Sequence, residues 1–300
     1  MTVHTVTVLG CDGSYPGPGG AASGYLVQGG ATRLWLDAGP GTFAALQRVV
    51  DPAAVDAIVL SHEHPDHWTD LESFAVWHRQ SADRQSADRQ SADRQSAPSR
   101  PAGRQSAHRP AVPIYAPPGL RRRSYFADDP LLDWQEIGPS HVVTVGQLTC
   151  RFVATDHGPP TLAVRVDSSA ADHVLPPSAI DDRAVPSSAI DDRIHSSSAI
   201  DDLGTSFAYS ADSGPDWSVD ELGRGIGTVL CEATFTRRDE GASRHMSGRQ
   251  AGQMAAAAGV GRLLVTHRWP TVSADEVATE AAEAFGRDVD QVVAGRVFEW

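Results

Sequence analysis

Lysine is absent from all 300 residues, so the 25 basic side chains are arginines. That excludes Schiff-base and P-loop chemistry, both of which need a primary amine. Cysteine is scarce. Cys11, Cys150 and Cys231 form no close pair, an odd count is a poor basis for a disulfide framework, and no Cys-x-x-Cys exists for structural zinc. No Gly-x-Ser-x-Gly elbow offers a serine nucleophile. Long apolar runs are missing too: nothing approaches the ~20 residues of a membrane span, and Met1 to Gly10 lacks a basic export leader. The expected setting is the reducing cytoplasm, with no membrane partner.

What is present is globular in composition, 41% hydrophobic, with a net charge of −13 that opposes non-specific binding to polyanions. Two repetitive stretches interrupt it. The pentad Arg-Gln-Ser-Ala-Asp recurs from Arg79, and a Ser-Ala-Ile-Asp-Asp unit recurs from Ser178. A period of five matches neither helix nor strand, and both stretches are poor in apolar residues, so 79–109 and 168–204 are expected to be disordered surface insertions. The remaining 232 residues suit one domain over 1–300. The loop Cys11 to Gly20 is rich in glycine, lacks a lysine and opens no helix; it is expected to be a mobile rim to a cleft rather than a phosphate cradle.

Hydrophobic periodicity predicts strands at Val3–Leu9, Gly24–Val27, Arg33–Asp37 and Ala57–Leu60, with helices at Thr42–Val50 and Trp68–His78. Further strands, expected to be antiparallel, follow at Val112–Tyr115, His141–Val145, Leu148–Thr155 and Leu162–Val166. The last third alternates strands at Phe207–Ser210, Thr228–Glu232, Arg262–Thr266 and Val289–Val293 with helices at Gly248–Ala258 and Ala274–Phe285, indicating helices packed on sheets. The chemically distinctive residues fall at the ends of these strands, where loops gather side chains into one cleft.

Immediately beyond the strand Ala57–Leu60 stands Ser61-His62-Glu63-His64-Pro65-Asp66-His67, three imidazoles and a carboxylate within six positions. His62 and His64, two apart in extended chain, project to one side and suit a shared metal, while Asp66 and His67 turn toward a second. Four residues cannot complete two sites. His157, Asp212 and His267, each following an apolar strand, are the further candidates. Imidazole and carboxylate ligands suit zinc first, then manganese or iron. His4, His78, His108, His141, His173 and His195 lie outside this constellation and are expected in solvent.

His62-x-His64-x-Asp66-His67, His157, Ser210-Ala-Asp212-Ser-Gly and Leu264-Val-Thr266-His267 together resemble the ordered metal motifs of metallo-β-lactamase-fold hydrolases. Cys231-Glu232-Ala-Thr-Phe and Arg244-His245-Met-Ser-Gly resemble the phosphodiesterase branch that includes ribonuclease Z and bacterial cyclic-nucleotide phosphodiesterases. The resemblance implies an α/β fold, the αββα four-layer sandwich. It implies two divalent ions, one on His62, His64 and His157, the other on Asp66, His67 and His267, with Asp212 bridging. Asp66 would also orient the attacking water. His245 would protonate the leaving oxygen or stabilise charge, held by Glu232. Homodimers are common among such enzymes. Cys231 stands where ribonuclease Z carries histidine; a buried apolar role is expected for it.

The expected activity is phosphodiester hydrolysis on a small nucleotide such as a 3′,5′-cyclic nucleotide. A ribonuclease Z-like tRNA 3′-processing endonuclease is the alternative, but the segment 168–204, placed where that branch carries its RNA-gripping arm, has seven aspartates against two arginines. A third alternative is a non-catalytic metal-binding protein on the same fold.

Overall fold

The structure is a computed structural model that describes residues 3–95, 111–168 and 206–300, with 85–95 as backbone only. In chain order it comprises β1 His4–Gly10, β2 Gly24–Gly29, β3 Thr32–Leu36, α1 Thr42–Val49, β4 Ala57–Val59 and α2 Asp70–Gln95. Next come β5 Val112–Ala116, β6 Leu132–Glu136, β7 Val142–Val145, β8 Leu148–Ala154 and β9 Leu162–Ser168. The remainder is β10 Ser206–Tyr209, β11 Thr228–Glu232, α3 Gly248–Ala257, β12 Arg262–Thr266, α4 Ala274–Phe285, β13 Asp290–Gln291 and β14 Val297–Glu299.

The strands form two seven-stranded sheets, ordered β14-β1-β2-β3-β4-β5-β6 and β13-β12-β11-β10-β9-β8-β7. Strand alternation explains why they stack. In β3, Leu34 and Leu36 face the second sheet while Trp35 between them faces outward; in β12, Leu264 faces inward and Leu263 and Val265 outward. Each sheet is therefore apolar on both faces. The inner faces bury Val6, Tyr25, Phe152, Phe207 and Leu230 against one another. The outer face of the first sheet takes α1 and α2 through Trp35, Leu46, Leu71 and Phe74, and that of the second takes α3 and α4 through Val229, Ala251, Val277 and Phe285. The result is the αββα sandwich that the motifs imply. Replacing Trp35, fully buried against Phe43 and Phe74, by alanine is expected to cost about 3–5 kcal/mol in urea unfolding.

Three expectations change. The strand Val112–Ala116 is parallel to both neighbours, because the helical crossover before it returns the chain in the same direction. The strands β6 and β14 escape the periodicity, being largely solvent-facing edges. And α2 runs through the first pentads to Gln95. Leu71, Phe74 and Ala75 dock its first turns, so the costly nucleus is already formed, and arginine, glutamine and alanine then extend it with arginine and aspartate four apart. Arg79, expected in a passive insertion, bonds the buried Asp129 at 2.7 Å and lies over Phe126. The expected insertion residues 96–109 and 169–204 lie outside the described residues. Among the described residues no helix is long and apolar enough to cross a membrane.

Candidate metal centre

The parallel strands deliver the chemistry to one edge. β4 runs into His62, β10 into Asp212 and β12 into His267, while Glu232 ends β11 and His157 follows β8. A short 3-10 turn, Pro65–His67, swings Asp66 and His67 back under the histidine pair.

The side chains converge in three groups. His62, His64, His157 and Asp212 bring their ligand atoms within 4.8 Å of one another, as do Asp66, His67 and His267, and Asp212 and His267 recur with His245 in the third. His157 Nε2 lies 3.2 Å from His64 Nδ1, and His67 Nε2 3.3 Å from His267 Nε2. Asp212 stands between the groups: Oδ1 is 3.2 Å from both His67 Nε2 and His267 Nε2, and Oδ2 is 3.5 Å from His62 Nε2 and 3.7 Å from His157 Nε2.

A cation fits this arrangement. His62 Nε2 is buried with no hydrogen-bond partner among the described residues, and paired imidazole nitrogens pointing at each other leave lone pairs that a shared positive charge satisfies. Nitrogen and carboxylate oxygen together are zinc-type donors, with manganese or iron as alternatives.

Electrostatics follow from burial and mutual charge. Burial, reinforced by His67, pushes the His62 imidazole well below its ordinary value, and burial with His157 lowers His64. His67 moves the other way: burial opposes its charge, but Asp212, Asp66 and Asp37 outweigh it. Burial would raise Asp66 and Asp212, yet the surrounding imidazoles hold both carboxyls well below the usual range.

The outward ring nitrogens are also anchored. His67 Nδ1 meets Asp37 Oδ2 at 2.7 Å, His62 Nδ1 meets Ser61 Oγ at 3.0 Å, His267 Nδ1 meets Thr234 Oγ1 at 3.0 Å, and His157 Nδ1 meets the Arg244 carbonyl at 3.1 Å. Each anchor turns Nε2 toward the cluster. Asp37 also accepts from Ser61 N, Ser61 Oγ and Tyr209 OH at 2.7–2.8 Å. Residue spacing does not single Asp37 out as part of the site, although it carries the same mark as the others, an acidic residue directly after an apolar strand. Asp37→Asn is expected to weaken metal affinity about 10–100-fold, measured by competition with a chelator.

Backbone strain gathers here as well. Ser14, Asp37, Ala211 and His267 all hold φ between 52° and 63°, a conformation that costs L-residues of order 1–3 kcal/mol each. Ser14 N donates to Asp66 Oδ2 at 2.8 Å, and Ser14 Oγ bonds Trp269 Nε1 at 3.1 Å. The loop expected to be a mobile rim is thus tied to the cluster, with Asp12 Oδ2 accepting from Gly17 N within it.

His245 lies against His157 and His267, ring centroids 5.0 and 5.3 Å away. Its Nδ1 is 3.1 Å from both Glu232 oxygens, and Glu232 also accepts from Thr234 Oγ1, Met246 N and Ser213 N. Burial disfavours the imidazolium, but Glu232 prevails and His245 is raised to about 9. Ser247, two residues on, caps α3 with Gln250 in a capping box. Cys231 points the other way along its strand, into the outer core, its thiol pushed up by burial. His78, expected in solvent, is buried with its ring stacked on Phe74, because the helix turns it onto the core with Leu71 and Phe74. His141 is exposed and His4 half-buried against Trp300; His108, His173 and His195 lie outside the described residues.

A four-layer sandwich with a histidine–aspartate cluster at the open edge of its sheets is the architecture of a metallo-hydrolase. The chain matches the family model described as the beta-lactamase superfamily domain over residues 32–268, and belongs to that superfamily. It is 33% identical to an uncharacterized protein of Mycobacterium tuberculosis, over 98% of this chain and 91% of that protein. It is 25% identical to the probable metallo-hydrolase YhfI of Bacillus subtilis, over 98% and 99%, and 26% identical to ribonuclease Z of Methanopyrus kandleri, over 92% and 91%. Among solved structures, YhfI covers both chains fully at TM-score 0.74 and 23% identity. Human tRNase Z, short form, aligns over 98% of each chain at TM-score 0.63 and 15% identity. A diphosphatase of the PhnP family aligns over 100% of this chain and 98% of that one, at the same score and identity. These structural likenesses concern the fold.

Proposed function

We propose that this chain hydrolyses the phosphodiester bond of a small nucleotide, a 3′,5′-cyclic nucleotide, using two divalent ions, zinc in the first instance. His62, His64 and His157 would hold one ion, Asp66, His67 and His267 the other, with Asp212 shared. Bound there, such ions supply Lewis-acid charge to a phosphoryl oxygen and acidify a nearby water.

The observation that carries the reading is the His245–Glu232 pair beside the cluster. A β-lactam or thioester hydrolysis has less need of it; a phosphodiester has a basic alkoxide to expel. Glu232 occupies Nδ1, so His245 can offer its Nε2 proton to the departing oxygen. Asp66, its Oδ2 steadied by Ser14 N, orients the attacking water. The ribonuclease Z names among the relatives support phosphodiester chemistry, but the acidic segment 168–204 argues against RNA as the substrate.

The test is steady-state hydrolysis of cyclic AMP, cyclic GMP and a precursor tRNA by metal-reconstituted protein, with His64→Ala as control. Cyclic-nucleotide turnover that disappears in the control is the expected result. Cleavage of the tRNA alone would overturn the small-substrate reading, and no phosphodiester turnover would overturn the whole.

A further inference from the structure

With no lysine in the chain, any permanently charged side chain that meets an anion at the metal centre is a guanidinium. Arg123, Arg244 and Arg268 adjoin the site residues, and their engagements differ. Arg123 grips the carboxylate of Glu63, which stands between His62 and His64, at 2.6 and 2.7 Å. Arg268, directly after His267, spends Nη1 on the Trp269 and Val272 carbonyls. Arg244, directly before His245, is exposed and makes no ion pair among the described residues. Its Nη1 rests 3.5 Å from the Asp156 carbonyl, the outer limit of a hydrogen bond. The Asp156 carboxylate is turned elsewhere, accepting from Gly214 N and Asp216 N.

The main chain fixes Arg244 beside the cluster. Its carbonyl holds His157 Nδ1 at 3.1 Å. Residues 242–245 bend continuously, so the His245 ring and the Arg244 guanidinium reach the same short stretch: the first lies 5.0 Å from the His157 ring, the second against the carbonyl just before it. Arg244 is thus anchored at its base and uncommitted at its tip. A guanidinium fork matches phosphate oxygens and forms the stronger, charge-assisted class of hydrogen bond. Arg123 and Arg268 would first have to release the partners they hold; Arg244 has almost nothing to give up.

We infer that Arg244 is a substrate-binding residue, its guanidinium donating to a non-bridging oxygen of the phosphodiester at the metal centre. This role rests on the phosphodiester reading, and it gives Arg244 the hold on the anion while His245 keeps the proton for the departing oxygen.

Because the His157 anchor is a backbone carbonyl, Arg244→Ala removes the guanidinium and leaves the anchor. The metal-loaded variant is expected to keep its metal content and to bind inorganic phosphate about tenfold more weakly in calorimetric titration. KM for cyclic AMP should rise by a similar factor, with a much smaller fall in kcat. Arg244→Lys should recover part of the affinity, since the charge is kept and the fork lost. High salt, which screens an exposed charge, should narrow the gap between wild type and alanine variant. Arg48→Ala removes the same charge from α1 on the outer helix layer and should bind phosphate as the wild type does. A gap that salt leaves untouched, or an equal loss in Arg48→Ala, would overturn the assignment. So would cyclic AMP turnover with unaltered KM and phosphate affinity in Arg244→Ala, which leaves the phosphodiester reading standing. Phosphate held through Arg244 without any phosphodiester turnover would overturn the activity instead and keep Arg244 as the anion contact.

Discussion

Asp212→Ala is expected to lose both metals together and all measurable turnover. The Asp212 carboxylate divides its oxygens between the two imidazole groups at 3.2–3.7 Å, so its removal withdraws an anion from both at once. Loss of an outer partner of a metal ligand typically costs about 10–100-fold in affinity; loss of a shared first partner should exceed that. It also leaves His62, His67 and His267 buried around a vanished negative charge. Metal content by elemental analysis after dialysis, beside activity, is the measurement. Two tightly held ions per chain in the alanine variant would show that Asp212 only packs between the histidines. His64→Ala should behave differently, because His64 belongs to one group alone: one ion should weaken first.

His245→Gln is expected to keep its metals and lose about 10²–10⁴-fold in kcat, the usual range for a positioned acid. The loss should depend on the leaving group. With a cyclic nucleotide the departing alkoxide needs the proton; with a p-nitrophenyl phosphodiester, whose leaving group is weakly basic, most of the loss should vanish. An equal loss on both substrates would mean that His245 acts through charge and not through its proton. Glu232→Gln should reproduce the pattern in milder form, since the 3.1 Å contacts to His245 Nδ1 become neutral while the bonds from Thr234 and Met246 retain an acceptor. Its pH profile should move as well: Glu232 raises His245 to about 9, and neutralising it lets the imidazole lose its proton at lower pH.

The metal cluster is legible in the chain itself because metal chemistry demands rare residue types in dense array. Three histidines and an aspartate within six positions serve few purposes besides holding a cation, and the strand ahead of them fixes which way alternate side chains point. Asp37 is hidden for the opposite reason. A single aspartate at a strand end is ordinary, and only the second sheet, which brings Tyr209 to it, and the turn, which brings His67, reveal what it anchors. Ser14 and Arg244 contribute backbone atoms, which no side-chain pattern announces. His78 shows the limit of reading histidines by exclusion: its place in the helix, four residues after Phe74, buries it whatever its chemistry. The pentads from Arg79 show a related limit, since their period conflicts with a helix stripe but their composition allows a helix to continue from a docked start.

The amino-acid sequence by itself determined which histidines and aspartates are candidates to hold a metal, the succession of most strands and helices, and the family, because these depend on residue type, spacing and period, all local properties. Tertiary structure alone decided that residues as distant as His67 and His267 meet at 3.3 Å, that Asp37 gathers His67, Ser61 and Tyr209 around one carboxylate, and that the Ser14 backbone reaches Asp66. Those outcomes depend on how two twisted sheets register across a shared apolar interface, which sums many weak contacts and is written in no single stretch of chain.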